Sequence, residues 1–221
     1  MKNISKLFEN QSLLDLALTH RSWLNENSNT GQSNERLEFL GDAVLEFVVS
    51  EAVYKKIPNQ EEGYLTALRA NLVNTVNLAM VARTLDFGSM LKLSKGEEEG
   101  GGRENQSLLA NTVEAVIGGL FLDGGIKNAK NFINDYLLVD LDKKLKEPLK
   151  DPKSRLQEIA QAKGYTAPKY EVVEEKGPDH NKQFTLQVMI DNKAFAKGTG
   201  KNKSEAAQEA AKNALSRVSS L

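Results

Sequence analysis

The apolar positions follow two different periods along the chain. Over the first 145 residues they recur every three or four places, the spacing of one helix face. Leu37, Leu40, Val44, Phe47 and Val48 mark such a face from Glu35 to Tyr54, and Pro58 stops the helix behind it. Upstream, Ser12 stands where a cap is wanted for a short helix through LLDLALTH. A third helix is expected from Glu61 to Leu85, with Leu65, Leu68, Leu72, Val76 and Ala79 as its buried stripe. Residues 96–104, GEEEGGGRE, read as a mobile loop from their composition. From Ser107 to Leu122 the chain is apolar almost all round, which predicts a central, buried helix. Gly124-Gly125 ends it, and a last helix is expected from Ile126 to Leu145. No strand pattern occurs in this part.

Beyond residue 152 the period changes. Residues 153–163 look helical, and 170–175 read as strand. Phe184, Leu186, Val188 and Ile190 then alternate with Thr185, Gln187 and Met189, the period of a half-buried strand. A third strand is expected over 193–198. Ala206, Ala207, Ala210, Ala211, Ala214, Leu215 and Val218 share one face of a final helix, with Asn202 and Glu205 spaced as its capping box. The order α-β-β-β-α makes one small domain, a sheet covered by helices. Pro148 and Pro152 interrupt the chain between the two patterns. The fold class is therefore multidomain: an all-helical unit over 1–147, a linker at 148–152, and an α-β-β-β-α unit over 153–221.

Charge sharpens this division. The 221 residues carry a net charge of -1 overall. Residues 151–221 hold 12 basic and 9 acidic side chains, whereas the rest hold 17 and 21. The absence of cysteine removes disulfides, thiolate zinc sites and Cys nucleophiles, and His20 and His180 are too far apart in sequence to suggest a His-rich metal site. No uninterrupted apolar stretch approaches the roughly 20 residues of a membrane span, and the N-terminus lacks the apolar core of a secretory signal. A cytoplasmic protein with no membrane partner is the expectation.

The candidate chemistry is acidic. Glu35, Glu38 and Asp42 share a face of one helix within NERLEFLGD, where like charges oppose the helix by a few tenths of a kcal/mol, roughly, per pair. A solvated face is the plain explanation. Glu114, however, sits three places after Asn111 in the otherwise apolar helix, and a carboxylate there is costly unless it is paired or bound to a cation. An ion pair is one solution. The other packs the two helices side by side, so that Glu38, Asp42, Asn111 and Glu114 form one oxygen-only cluster. Hard cations such as Mg²⁺ take such ligands, and the set suits metal-assisted phosphoryl chemistry.

The segments NERLEFLGDAVL (34–45), LTHRSW (18–23), RENQSLLANTVEAVIGGLFLDGG (103–125) and DPKSRLQE (151–158) closely resemble the ribonuclease III family, and the likeness spans nearly the whole chain. It implies a ribonuclease III catalytic domain followed by a double-stranded-RNA-binding domain. It also implies a homodimeric endonuclease, dependent on Mg²⁺ with Mn²⁺ as a possible substitute. Each subunit would cut one strand of duplex RNA, leaving 5′-phosphate, 3′-hydroxyl and a short 3′ overhang, in ribosomal RNA precursor processing and messenger RNA turnover. Within that resemblance Glu38, Asp42 and Glu114 match the catalytic, metal-binding acids. Asn111 occupies the position of a further metal ligand, commonly Asp, and Glu35 takes a supporting role near the site. Asp to Asn removes one anionic oxygen but keeps a carbonyl that still ligates a cation, so weaker metal affinity is expected. Phe39, Leu40 and Trp23 are candidates to face a partner subunit, or simply core.

In the same resemblance, three regions of the C-terminal unit are placed to grip RNA. Gln157 and Glu158 on its first helix would meet one minor groove. The loop Pro178-Asp179-His180 would enter the next. Lys201, Asn202, Lys203 and Ser204 lie at the start of the last helix, where ammonium groups and free N–H donors attract phosphate. A-form RNA is read by shape, 2′-hydroxyls and phosphates in this way. A solvated loop and a basic turn are the plainer readings of His180 and of the lysines taken singly. Two rival functions stand beside the nuclease. One is a double-stranded-RNA-binding protein whose cleavage is weak or absent because of Asn111. The other is a helical magnesium enzyme for small diphosphates, which would have no use for the basic module.

Overall fold

The computed structural model describes residues 4–27, 31–145, 152–178 and 182–217. Its contacts separate into two compact units, Met1–Glu147 and Pro148–Leu221. The first unit is helical: α1 (Gln11–Ala17), α2 (Arg21–Glu26), α3 (Glu35–Lys56), α4 (Glu62–Leu72), α5 (Thr75–Thr84), α6 (Phe87–Met90), α7 (Lys95–Glu99), α8 (Gln106–Tyr136) and α9 (Leu141–Lys144), with 3₁₀ turns at Ile4–Leu7 and Gly102–Glu104. The second holds α10 (Pro152–Ala162), β1 (Lys169–Lys176), β2 (Gln183–Ile190), β3 (Lys193–Gly200) and α11 (Lys203–Leu215).

The helical unit is organised around the pairing of α3 with α8, with α1 and α5 also against α8 and α4 against α3. Leu45, Val48 and Val49 of α3 and Leu109, Val113, Ile117 and Leu120 of α8 are almost wholly buried. Each such side chain contributes on the order of 1.5–3 kcal/mol by leaving water. By length and composition α8 resembles a membrane-crossing helix, but its apolar residues serve this core. Two glycines set how near the helices come. A Cβ at Gly41 would overlap the Glu114 carbonyl oxygen and lie 2.9 Å from the Gly118 nitrogen, and one at Gly118 would overlap the Leu37 carbonyl. Backbone therefore meets backbone beside Asp42 and Glu114.

Several boundaries differ from those the pattern predicts. Helix α1 is capped by Asn10, whose Oδ1 accepts the Ser12 N–H at 3.1 Å; Ser12 is inside the helix. The expected helix over 61–85 is two helices. Asn74 accepts the Asn77 N–H and starts α5 in a new phase, so Val76 is exposed while Leu78, Ala79, Val81 and Ala82 are buried. Phe47, expected in the α3 core stripe, is also exposed. The expected mobile loop over 96–104 is largely ordered by α7 and the second 3₁₀ turn. Ser94 caps α7, and Arg103 donates to the carbonyls of Gly88, Ser89 and Leu91. At Gly124-Gly125 the helical backbone breaks, with φ of 71° at Gly125, and resumes only as far as Tyr136. An isolated parallel bridge joins Thr19 to Lys92, where no extended pairing was expected.

The second unit follows its pattern closely. The strands form one antiparallel sheet in the order β1-β2-β3. Asp191 and Asn192, with φ of 48° and 61°, make the tight turn between β2 and β3. Leu186, Val188 and Ile190 point to the helical side, against the buried alanine face of α11. Those alanines bring α11 so close that a Cβ at Gly198 would strike its backbone at Ala206 and Ala210. Leu215 is half-buried, and Val218 lies outside the described residues.

Candidate active site

Helix α3 begins with Glu35 and carries Glu38 and Asp42 one and two turns on. Helix α8 takes its start from Asn105, whose Oδ1 accepts the N–H groups of Ser107 and Leu108, and it presents Asn111 and Glu114 one turn apart. The glycine contact sets these two ladders side by side. Glu35, Glu38, Asp42, Asn111 and Glu114 line one cavity of about 500 Å³, together with His20, Arg21, Asn34, Phe39 and Leu108. The two acidic pairs thus share one space, as the packing of two helices requires.

Electrostatics show how close the acids are. The Glu114 carboxyl is pushed up to about 7, first by burial and then by Asp42, Glu38 and Glu46. Glu38 is also raised, by burial and the nearby Glu35 and Asp42, while a hydrogen bond from the Asn111 side chain opposes the shift. Glu46 has a cation beside it: Arg69 from α4 stands 2.6 Å from its Oε2. Among the described residues, no three His, Asp or Glu side chains already form a closed ligand set. The Asn111 amide hydrogen-bonds Glu38 where a further carboxylate would add repulsion.

The cavity rim was not assigned from sequence. His20 caps α2, its Nδ1 accepting the Ser22 N–H at 3.3 Å. Burial and the adjacent Arg21 lower its pKa against the opposing pull of Glu97 and Glu35. Arg21 Nη1 lies 3.3 Å from Glu35 Oε1, and Ser33 Oγ donates to Glu35 Oε2 at 2.9 Å. Both Glu35 oxygens therefore already have partners within the chain. Asn34, 3% exposed, ties the two segments: its N–H donates to Thr19 O and its Nδ2 to Ala17 O. LTHRSW was the available signal, since a His followed by an Arg precedes the acidic helix by one short element.

In the second unit Gln157 and Glu158 are exposed on α10, and Pro178 is exposed after β1. Asp179 and His180 lie outside the described residues. Lys201, Asn202, Lys203 and Ser204 are exposed at the start of α11. Asn202 Oδ1 accepts the Glu205 N–H at 2.8 Å, so it is the cap. Glu205 in return accepts from the Lys201 N–H, one residue before the cap nitrogen expected of a capping box. Lys203 Nζ stands 3.5 Å from Glu175 and 5.6 Å above the Phe184 ring, contacts that sequence spacing did not suggest.

Residues 10–141 match the Ribonuclease-III-like family model, and residues 152–218 match the double-stranded RNA binding motif. The chain belongs to the ribonuclease III family. A Ribonuclease 3 of Streptococcus equi subsp. zooepidemicus is 43% identical over 97% of this chain and 94% of its own length. One from Caldanaerobacter subterraneus subsp. tengcongensis is 44% identical over 100% and 97%. The solved nuclease domain of ribonuclease III from Campylobacter jejuni superposes with a TM-score of 0.58 at 37% identity, covering 64% of this chain and 98% of that one. This ribonuclease III is accordingly a nuclease that processes double-stranded RNA, built as a helical catalytic domain followed by an RNA-binding domain.

Proposed function

We propose that this ribonuclease III is a Mg²⁺-dependent endonuclease that hydrolyses both strands of duplex RNA to 5′-phosphate and 3′-hydroxyl ends with short 3′ overhangs. The observation that carries this is the shared cavity, in which Glu38 and Asp42 of α3 face Asn111 and Glu114 of α8. The donors fit a hard cation. All are oxygens, and a carboxyl raised to about 7 by burial first and then by three neighbouring acids is one that a cation would stabilise in its charged form. Glu38, Asp42 and Glu114, with the Asn111 carbonyl, would hold Mg²⁺, or Mn²⁺ in its place. The ion would supply the positive charge that offsets the phosphodiester. The chain itself contributes the fixed helix contact that keeps these groups together and a half-buried setting that limits screening.

The exposed helix entry with Lys201 and Lys203 supports a phosphate grip by the second domain, and Gln157 and Glu158 a minor-groove contact. A homodimer is supported by the apolar surface of α3, where Phe39, Phe47 and Tyr54 are 82%, 60% and 70% exposed. The Campylobacter jejuni nuclease domain is itself described as having a region involved in dimer formation. Two such subunits give one cut per strand. Ribosomal precursors and structured messengers in the cytoplasm are the proposed substrates.

The test is incubation of end-labelled duplex RNA with and without MgCl₂. Cleavage that requires Mg²⁺ and disappears in Glu114→Gln is expected. Tight binding without cutting would replace the nuclease by the RNA-binding reading, in which Asn111 has silenced the site. No interaction with RNA would defeat both. Sedimentation of Phe47→Asp checks the dimer, and an unchanged dimer mass would move the interface off this face.

A further inference from the structure

The cavity holds four carboxylates, those of Glu35, Glu38, Asp42 and Glu114, and its lining includes one arginine. A phosphodiester entering it is repelled unless positive charge stands at the edge as well as the centre. Arg21 is placed for that purpose. Its side chain is 71% exposed, and Glu35 takes one nitrogen of a fork that carries five N–H donors.

The backbone beneath it is fixed more firmly than an ordinary surface pair needs. His20 N–H donates to Lys92 O, and Lys92 N–H to Leu18 O. Ser22 Oγ hydrogen-bonds the His20 ring and accepts the Ser94 N–H. Asn34 binds the same segment to the start of α3 through Ala17 and Thr19. The result is a fixed stretch of backbone beside the acidic helix, from which the guanidinium reaches Glu35. Glu35, with one oxygen on Arg21 and the other on Ser33, is committed to that arrangement.

We infer that Arg21 binds a backbone phosphate of the RNA strand entering the acidic cavity, and that Glu35 positions it instead of ligating metal. This rests on the nuclease reading above. The planar fork suits two phosphate oxygens at once, which an ammonium cannot match. Loss of the Arg21–Glu35 pair costs the fold little, since exposed pairs contribute about 0–1 kcal/mol, so Arg21→Ala should fold.

The experiment has two readouts. Steady-state cleavage of a labelled RNA duplex is followed across MgCl₂ concentrations. Binding of a fluorescein-labelled duplex is followed across KCl concentrations in a Glu114→Gln background, where cutting does not intervene. Arg21→Ala is expected to raise KM roughly tenfold. It should make the slope of log Kd against log salt shallower by about 1, one phosphate contact. Arg21→Lys should recover most of that slope but only part of the affinity. Glu35→Gln should raise KM while leaving the Mg²⁺ midpoint of cleavage unchanged. An unchanged salt slope in Arg21→Ala overturns the phosphate contact. A Mg²⁺ midpoint shifted by Glu35→Gln as far as by Glu38→Gln overturns the positioning role. If the unaltered protein leaves duplex RNA intact, the nuclease reading fails and takes this inference with it. Cutting by the unaltered protein alongside an unmoved slope sinks the inference alone.

Discussion

Replacing Gly41 by alanine should damage the active site without touching any acid in it. The added methyl would lie 2.6 Å from the Glu114 carbonyl carbon and 2.9 Å from the Gly118 nitrogen, where ordinary contact begins near 3.4 Å. Both obstacles are backbone of α8, so no rotamer change relieves them. The helices must part by about 1.5 Å or strain locally, and overpacking of this kind costs about 1–3 kcal/mol. For a domain of this size that is a fall in Tm of about 2–12 °C. Separation also moves Glu114 away from Glu38 and Asp42, so the Mg²⁺ midpoint for RNA cleavage should rise even at temperatures where the domain stays folded. Gly63→Ala is the control: it lies in α4, and its Cβ would meet nothing within 4 Å. It should be neutral or stabilising by up to about 1 kcal/mol. Calorimetry and Mg²⁺ titration of cleavage on both variants decide the matter. A Gly41→Ala protein with unaltered Tm and Mg²⁺ midpoint would refute the claim that backbone contact sets the site.

Three further outcomes are expected. Asn111→Asp removes the hydrogen bond to Glu38 and adds a carboxylate, so the metal-free protein should melt earlier while less Mg²⁺ gives half-maximal cleavage; an unchanged midpoint would remove Asn111 from the ligand set. Unfolded Glu114 titrates near 4.5 and folded Glu114 near 7, so between those values the folded chain keeps a proton the unfolded chain has lost. Metal-free stability contributed by that proton is full below pH 4.5 and lost as pH rises through 7, and denaturant midpoints against pH should show this slope flattened in Glu114→Gln. Gly198→Ala should push α11 off β3 and weaken duplex binding at least tenfold, on the order of the same overpacking cost, as measured by anisotropy; normal binding would mean the sheet and helix can part harmlessly.

The long helices and the small sheet were legible because burial on one side leaves a strong period. Helix α3 and the alternation of Phe184 to Ile190 follow directly from it. Two misread helix boundaries arose where a polar cap competes with that period. The stripe Leu72, Val76, Ala79 runs smoothly through a break because Asn74 restarts the helix after only two residues, and a count of four conceals the change of phase. Ser94 to Glu97 has the spacing of a capping box, yet the glycine-rich composition around it masked α7. The acidic cluster could be proposed because two runs each carried the right oxygen donors, but spacing within a helix says nothing of the distance between helices. That distance depends on Gly41 and Gly118 meeting. Arg21 and its tether escaped notice for the same reason: the bond from Asn34 to Ala17 joins residues 17 places apart and has no periodic trace.

Arg103 has a consequence for how this enzyme tolerates change in length. By gripping the carbonyls of residues 88, 89 and 91 it pins the chain two residues before Asn105, where α8 begins. A helix is a ruler read from its origin, each added residue turning everything beyond it by 100°. One residue inserted between Asn105 and Asn111 would therefore swing Glu114 a quarter-turn from α3 or force the cap off its anchor. Insertions at the exposed tip around Gly100-Gly101, ahead of the pin, carry no such penalty, so natural length variation should gather there and stay out of the stretch between anchor and acids.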